Sequence, residues 1–92
     1  MIESFRCTDT QRLFETGNTR RWGAIKNVAE RKLAMLNAAT DLKDLKSPPG
    51  NRLEELYSDR KGQHSIRING QFRICFVWGK NGPEQVEIVD YH

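Results

Sequence analysis

Apolar residues recur at helical spacing ahead of Ser47-Pro48-Pro49-Gly50 and alternate with polar residues after it, a pattern that predicts helices first and strands second. Ile2 to Phe5 predicts a short edge strand. Thr8-Asp9-Thr10-Gln11 reads as a T-x-x-Q capping box that starts a helix, and Gly17 sits where a helix commonly stops. That helix has only Leu13 and Phe14 to anchor it. A second helix is predicted from near Thr19, with Trp22, Ile25, Ala29, Leu33 and Leu36 as its core stripe. Leu42 and Leu45 suggest one more helical turn before the two prolines and the glycine end it. Four strand runs follow, Leu53 to Tyr57, Ser65 to Ile68, Phe72 to Trp78 and Val86 to Tyr91, joined by turn-rich segments. Helices followed by a meander predict an α+β fold: an N-terminal strand and two helices packed on one face of a small antiparallel sheet, with the other face free.

The register of the central hairpin follows from its side chains. A two-residue Asn69-Gly70 loop would pair Arg67 with Phe72 and Ile66 with Arg73, mixing charge and apolar residues on both faces. A three-residue loop, Asn69 to Gln71, pairs Ile68 with Phe72, Arg67 with Arg73 and Ile66 with Ile74. One face is then apolar and the other carries both arginines. A one-residue slip exchanges the faces, so the apolar side selects the three-residue loop.

Composition narrows the class without naming it. Ninety-two residues, 37% hydrophobic and 29% charged, predict a single globular domain over residues 1–92. No apolar run approaches the roughly 18 residues needed to cross a bilayer, and Ile2-Glu3-Ser4 after Met1 does not resemble a targeting signal, so a cytoplasmic protein without a membrane is expected. Cys7 and Cys75 lack metal-ligand spacing and read as free thiols. No metal or cofactor is expected. The net charge is only +3, but from Arg52 to Lys80 six basic residues face three acidic ones, which suits contact with phosphates.

The arginine pair and the C-terminus are the candidate chemistry. Like charges directly opposite on a sheet repel. Either Glu87, Asp59 or Asp90 neutralises Arg67 and Arg73, or the pair grips a phosphate, for which the bidentate guanidinium fork is suited. Asp90-Tyr91-His92 ends the chain with an acid, a ring that can stack on a base and an imidazole that titrates near neutrality. Alternation places Tyr91 on one face and Asp90 and His92 on the other, and leaves open which side meets the arginines.

Pro48 to Glu54, Ser65 to Asn69, Phe72 to Phe76 and Val86 to His92 together resemble the HigB branch of the RelE toxin superfamily, a resemblance that covers essentially the whole chain. It implies a RelE-like microbial RNase fold and a type II toxin: a metal-free, ribosome-dependent endoribonuclease that cuts mRNA in the aminoacyl site by attack of the ribose 2′-hydroxyl. Carried onto this sequence, it implies that Arg73 stabilises the pentacoordinate phosphate and His92 is the acid or base. Tyr91 stacks on or positions the RNA, and Asp90 orients its neighbours. Arg52, Arg60, Lys61 and Arg67 meet the mRNA or ribosomal RNA backbone. The implied partners are the ribosome, mRNA and a helix-turn-helix antitoxin encoded alongside, through which operator DNA is bound. The chain departs from the pattern where Leu56-Tyr57-Ser58-Asp59 replaces Leu-Lys-Gly-Asp, where Glu54 replaces a histidine of some members, and where His64, read as a surface residue, replaces a tyrosine. Two other readings of the same scaffold are a non-catalytic binding toxin like the gyrase-poisoning branch and an RNA-binding accessory protein.

Overall fold

The computed structural model describes residues 1–91. Two helices, α1 (Thr8–Thr16) and α2 (Lys26–Ala38), pack on a four-stranded antiparallel sheet. Its strands, β1 (Glu54–Glu55), β2 (His64–Arg67), β3 (Phe72–Gly79) and β4 (Gly82–Asp90), lie in chain order. One sheet face supplies Ile66, Ile74, Phe76, Val86 and Ile88 to a core completed by Leu13 of α1 and Ala29, Leu33 and Leu36 of α2. Burying such side chains contributes roughly 1.5–3 kcal/mol each and fixes which face the helices cover.

The central hairpin has the register the apolar face demands. Ile66 pairs with Ile74 and Arg67 with Arg73. Both Ile68 and Asn69 donate their N–H to the Phe72 carbonyl, and the Asn69 side chain accepts from the N–H groups of Gln71 and Phe72. Gly17, in the left-handed region at φ 77°, stops α1 and donates to the Leu13 carbonyl, as a helix-terminating glycine does.

Several expectations are corrected. Ile2 to Phe5 runs beside β4, Glu3 donating its N–H to the Pro83 carbonyl and Val86 donating to that of Ser4, but among the described residues it forms a single parallel bridge, Phe5 to Val86, and no regular strand. The T-x-x-Q box is not used: Cys7 is the cap, Gln11 bonds Glu15, and the buried Thr10 hydroxyl accepts from the Ile88 N–H at 3.0 Å. Regular helix after Thr19 waits until Lys26, preceded by a 3₁₀ turn over Gly23–Ile25. The Leu53 to Tyr57 run shrinks to Glu54–Glu55, since Ser58 at φ 56° turns the chain out of the ladder. β4 begins four residues earlier than Val86, through Gly82 and Pro83. It lies at the sheet edge, where a proline without an N–H is tolerated.

The second sheet face is not free. Ser65, Arg73 and Cys75 on it are buried, and Arg60 and Glu87 pair beside Cys75. The segment that follows α2 delivers part of this cover. A 3₁₀ turn at Leu42–Lys46, capped reciprocally by Asp41 and Asp44, leads into a second at Pro49–Asn51. Asn51 is wholly buried: its amide donates to the carbonyls of Leu45 (3.1 Å) and Ser47 (3.3 Å), and its oxygen accepts from Lys32 of α2. The next residue, Arg52, is left-handed at φ 46°.

Candidate active site

Arg73 is the centre of the polar face. Its side chain is tied down on two sides: Nε donates to Ser65 Oγ at 2.7 Å, and Nη2 donates to the Arg52 carbonyl at 2.6 Å and the Ser65 carbonyl at 3.4 Å. The Glu54 carboxylate lies 4.0 Å from Nη2 and is half exposed, whereas Arg73 is only 7% exposed. The Tyr91 ring covers the guanidinium with its centroid 5.7 Å away. A permanently charged group this buried requires such partners. Among the described residues Nη1 has no hydrogen-bond partner, so one edge of the fork is uncommitted.

The neutralising acid is therefore Glu54, which the sequence pattern did not single out as such. Glu87 instead pairs with Arg60 at 3.2 Å and Arg6 at 3.8 Å. Asp90 lies opposite Phe72, on the helix side of the sheet, and accepts from Gln71 Nε2 at 3.0 Å. Tyr91, one residue on, donates its N–H to the Gln71 carbonyl at 2.6 Å and falls on the arginine side. That resolves what alternation left open for these two. His92 lies outside the described residues.

Glu54, Glu55, Leu56, Tyr57, Ser58 and Tyr91 line an open cleft of about 470 Å³ next to this group. Of the four basic residues expected to touch RNA, Arg52 and Lys61 are exposed, and Arg67 is half-buried beside Arg73. Arg60 is already engaged with Gln63 at 3.1 Å and with Glu87. Sequence reasoning missed three features of the site. Neither Ser65 nor the Arg52 backbone carbonyl, as ligands of Arg73, carries a chemical signature there, and Tyr57 stood out only as a departure from the family pattern.

Other groups bear on chemistry by being unfit for it. Burial pushes the Cys75 thiol up to about 11, with Glu87 adding to the effect and Arg60 and Arg73 opposing it, so it is no nucleophile near neutrality. Burial, then Arg31, holds Lys32 below the usual lysine range. His64 is not a surface residue: it is half-buried and stacks on Phe76 at 6.3 Å, on the apolar side away from Arg73. A larger depression of about 840 Å³, lined by Asp9, Arg12, Asn18, Thr19, Arg20 and Arg21, shares no residue with the cleft. In it Asp9 already binds Arg12 at 3.4 Å and Arg21 at 3.1 Å. Among the described residues no three His, Cys, Asp or Glu side chains gather as a metal site, and no helix is long and apolar enough to cross a membrane.

Residues 3–92 match the family described as the RelE-like toxin of type II toxin–antitoxin system HigB. Toxin HigB-1 of Vibrio cholerae serotype O1 is 49% identical over 55 residues, which span 60% of this chain and 58% of that protein. An uncharacterized protein of Haemophilus influenzae is 35% identical over 81 residues, covering 86% of this chain and 80% of the relative. Among solved structures, a chain of the YoeB–YefM complex from Staphylococcus aureus superposes over 100% of this chain and 95% of its own, with a TM-score of 0.62 at 16% identity. At that identity the likeness concerns the fold.

Proposed function

The chain belongs to the HigB-like family, the RelE-like toxins of type II toxin–antitoxin systems, and from that premise we propose that it is a ribosome-dependent endoribonuclease that cleaves mRNA in the aminoacyl site and so arrests translation and growth. The observation that carries this reading is Arg73, held by Ser65 and the Arg52 carbonyl against the two cleft residues Glu54 and Tyr91. Strand scission by a ribose 2′-hydroxyl needs a proton acceptor, a fixed positive charge and a proton donor. Glu54 takes the 2′-hydroxyl proton as that oxygen bonds to phosphorus. Arg73 offsets the charge of the pentacoordinate phosphate, and being held beforehand it reorganises little as that charge develops. The bond to the 5′-oxygen then breaks, and His92 gives that oxygen its proton. The products are a 2′,3′-cyclic phosphate and a 5′-hydroxyl, with every proton accounted for by side chains.

Tyr91 stacks on the RNA above Arg73. Asp90 acts at one remove, holding Gln71 and with it the strand end that presents Tyr91. Lys61, Arg52 and Arg67 meet the RNA backbone, with Arg60 contributing less because Glu87 holds it. The partners are the ribosome with its mRNA, in the cytoplasm, and a helix-turn-helix antitoxin encoded alongside, whose complex with the toxin binds operator DNA.

The test is to map RNA ends in a translation reaction with and without the protein. New in-frame 5′-hydroxyl ends, matched to 2′,3′-cyclic phosphates upstream, are the expected result. Arrest of growth without new ends would instead mean a toxin that binds and does not cut.

A further inference from the structure

Tyr57 and Tyr91 stand apart from the other aromatic residues. They are 71% and 43% exposed, while every other aromatic ring among the described residues is buried or half-buried. Both line the same cleft of about 470 Å³. Neither takes part in a ring–ring contact among the described residues, so the two rings do not cover one another.

Neither ring is a loose tip. Leu56, just before Tyr57, is buried and donates its N–H to the Gln63 carbonyl at 2.8 Å. The Tyr57 carbonyl accepts from the Arg60 N–H at 3.1 Å, which closes the turn behind it. Tyr91 is held through its own N–H and has the Arg73 guanidinium over its ring. A large exposed apolar surface on a fixed backbone is informative where a scattered one is not. Two such rings in one cleft, beside a buried guanidinium, suit a flat ligand attached to a phosphate.

We propose that Tyr57 and Tyr91 form a nucleobase subsite, in which one unpaired base next to the scissile phosphate stacks against both rings. This rests on the nuclease reading and deepens it: Tyr57 becomes a binding residue that sets the register of the RNA over Arg73. Every base has a π face, so the subsite supplies affinity and alignment and tolerates any base.

The experiment places 2-aminopurine at each position of the aminoacyl-site codon on programmed ribosomes, with 2′-O-methyl sugars across the codon so that the RNA is bound and not cut. Parent protein is expected to quench the fluorescence at one position. Tyr57→Phe should keep the quenching, and Tyr57→Ala should lose it. On the cleavable codon Tyr57→Ala should raise KM by roughly 5- to 150-fold, the equivalent of one stacked base, with the smaller share of the loss in kcat. Circular dichroism serves as the folding control. Quenching at no position, or equal quenching and KM for Tyr57→Ala and parent, overturns the subsite and leaves the nuclease reading intact if parent still cuts. Quenching that depends on Tyr57 without cutting by the parent keeps the subsite and removes the nuclease. If Tyr57→Ala instead binds the ribosome as parent does but releases the antitoxin, the aromatic pair serves the protein partner and the proposal fails.

Discussion

Removing the Arg73 guanidinium would leave Ser65 Oγ and the Arg52 carbonyl without their donor in a site that solvent barely reaches. Arg73→Ala is therefore expected to cost stability, about 1–3 kcal/mol, read as a lower melting temperature. It should also slow cleavage on programmed ribosomes by about 100- to 1,000-fold, the usual loss for a preorganised donor. Arg73→Lys should recover little of either, since one ammonium cannot serve Ser65, Arg52 and a phosphate at once. Glu54→Gln separates the two effects. Half exposed at the cleft, it should leave melting nearly unchanged and lower the single-turnover rate by about 100- to 10,000-fold, whereas a purely neutralising role predicts the reverse. Cys75 gives a pH signature for the same face. Its thiol ionises near 9.0 when unfolded and near 11 when folded. Below that window it is protonated in both states, so stability should fall as pH rises from 9 to 11. Comparison of melting curves with Cys75→Ala should show a shallower alkaline loss in the variant. The arginine pairing itself was legible in the sequence; the ligands of Arg73 were not. Both Arg52 and Ser65 reach it through three-dimensional placement that leaves no local pattern.

Among the elements, the β2–β3 hairpin was readable because every residue in it agrees: Ile66, Ile68, Phe72 and Ile74 fall on the core face only in the register observed. The ends of β1 and β4 were not. Ser58 and Gln85 adopt positive φ without being glycine, and Pro83 sits inside a strand, so composition misplaced those boundaries. Nor did the sequence reveal why the segment after α2 has a single path. Asn51 binds Lys32, Leu45 and Ser47 at once and sets down Arg52, whose carbonyl holds Arg73. Asn51→Ala should cost at least about 1–3 kcal/mol, because a buried lysine and two carbonyls lose their partner. It should also slow cleavage even where the protein remains folded, through loss of Arg73 alignment. Rates measured well below the variant's melting temperature check this; a parent-like rate there would mean the segment supports the fold alone.

At the scale of the whole molecule, the α+β class and the helices on one sheet face follow from the change of period at Ser47-Pro48-Pro49-Gly50. The polar face was expected to be bare and is instead largely closed, with the cleft beside Arg73 confined to one open edge near β1 and the C-terminal strand. On the proposed reading, an open cleft beside one buried arginine is expected to hold RNA weakly by itself, so that the substrate has to be presented to it already unpaired and aligned. Single-turnover cleavage of one mRNA, naked and in the aminoacyl site of a programmed ribosome, at equal protein concentration, tests this most directly. The expected result is cutting of the ribosome-bound message and survival of the naked one, with the ribosome-bound reaction slowed by about 100- to 1,000-fold for Arg73→Ala. Equal cutting of naked RNA, or a folded Arg73→Ala protein that cuts at the parent rate, would contradict it.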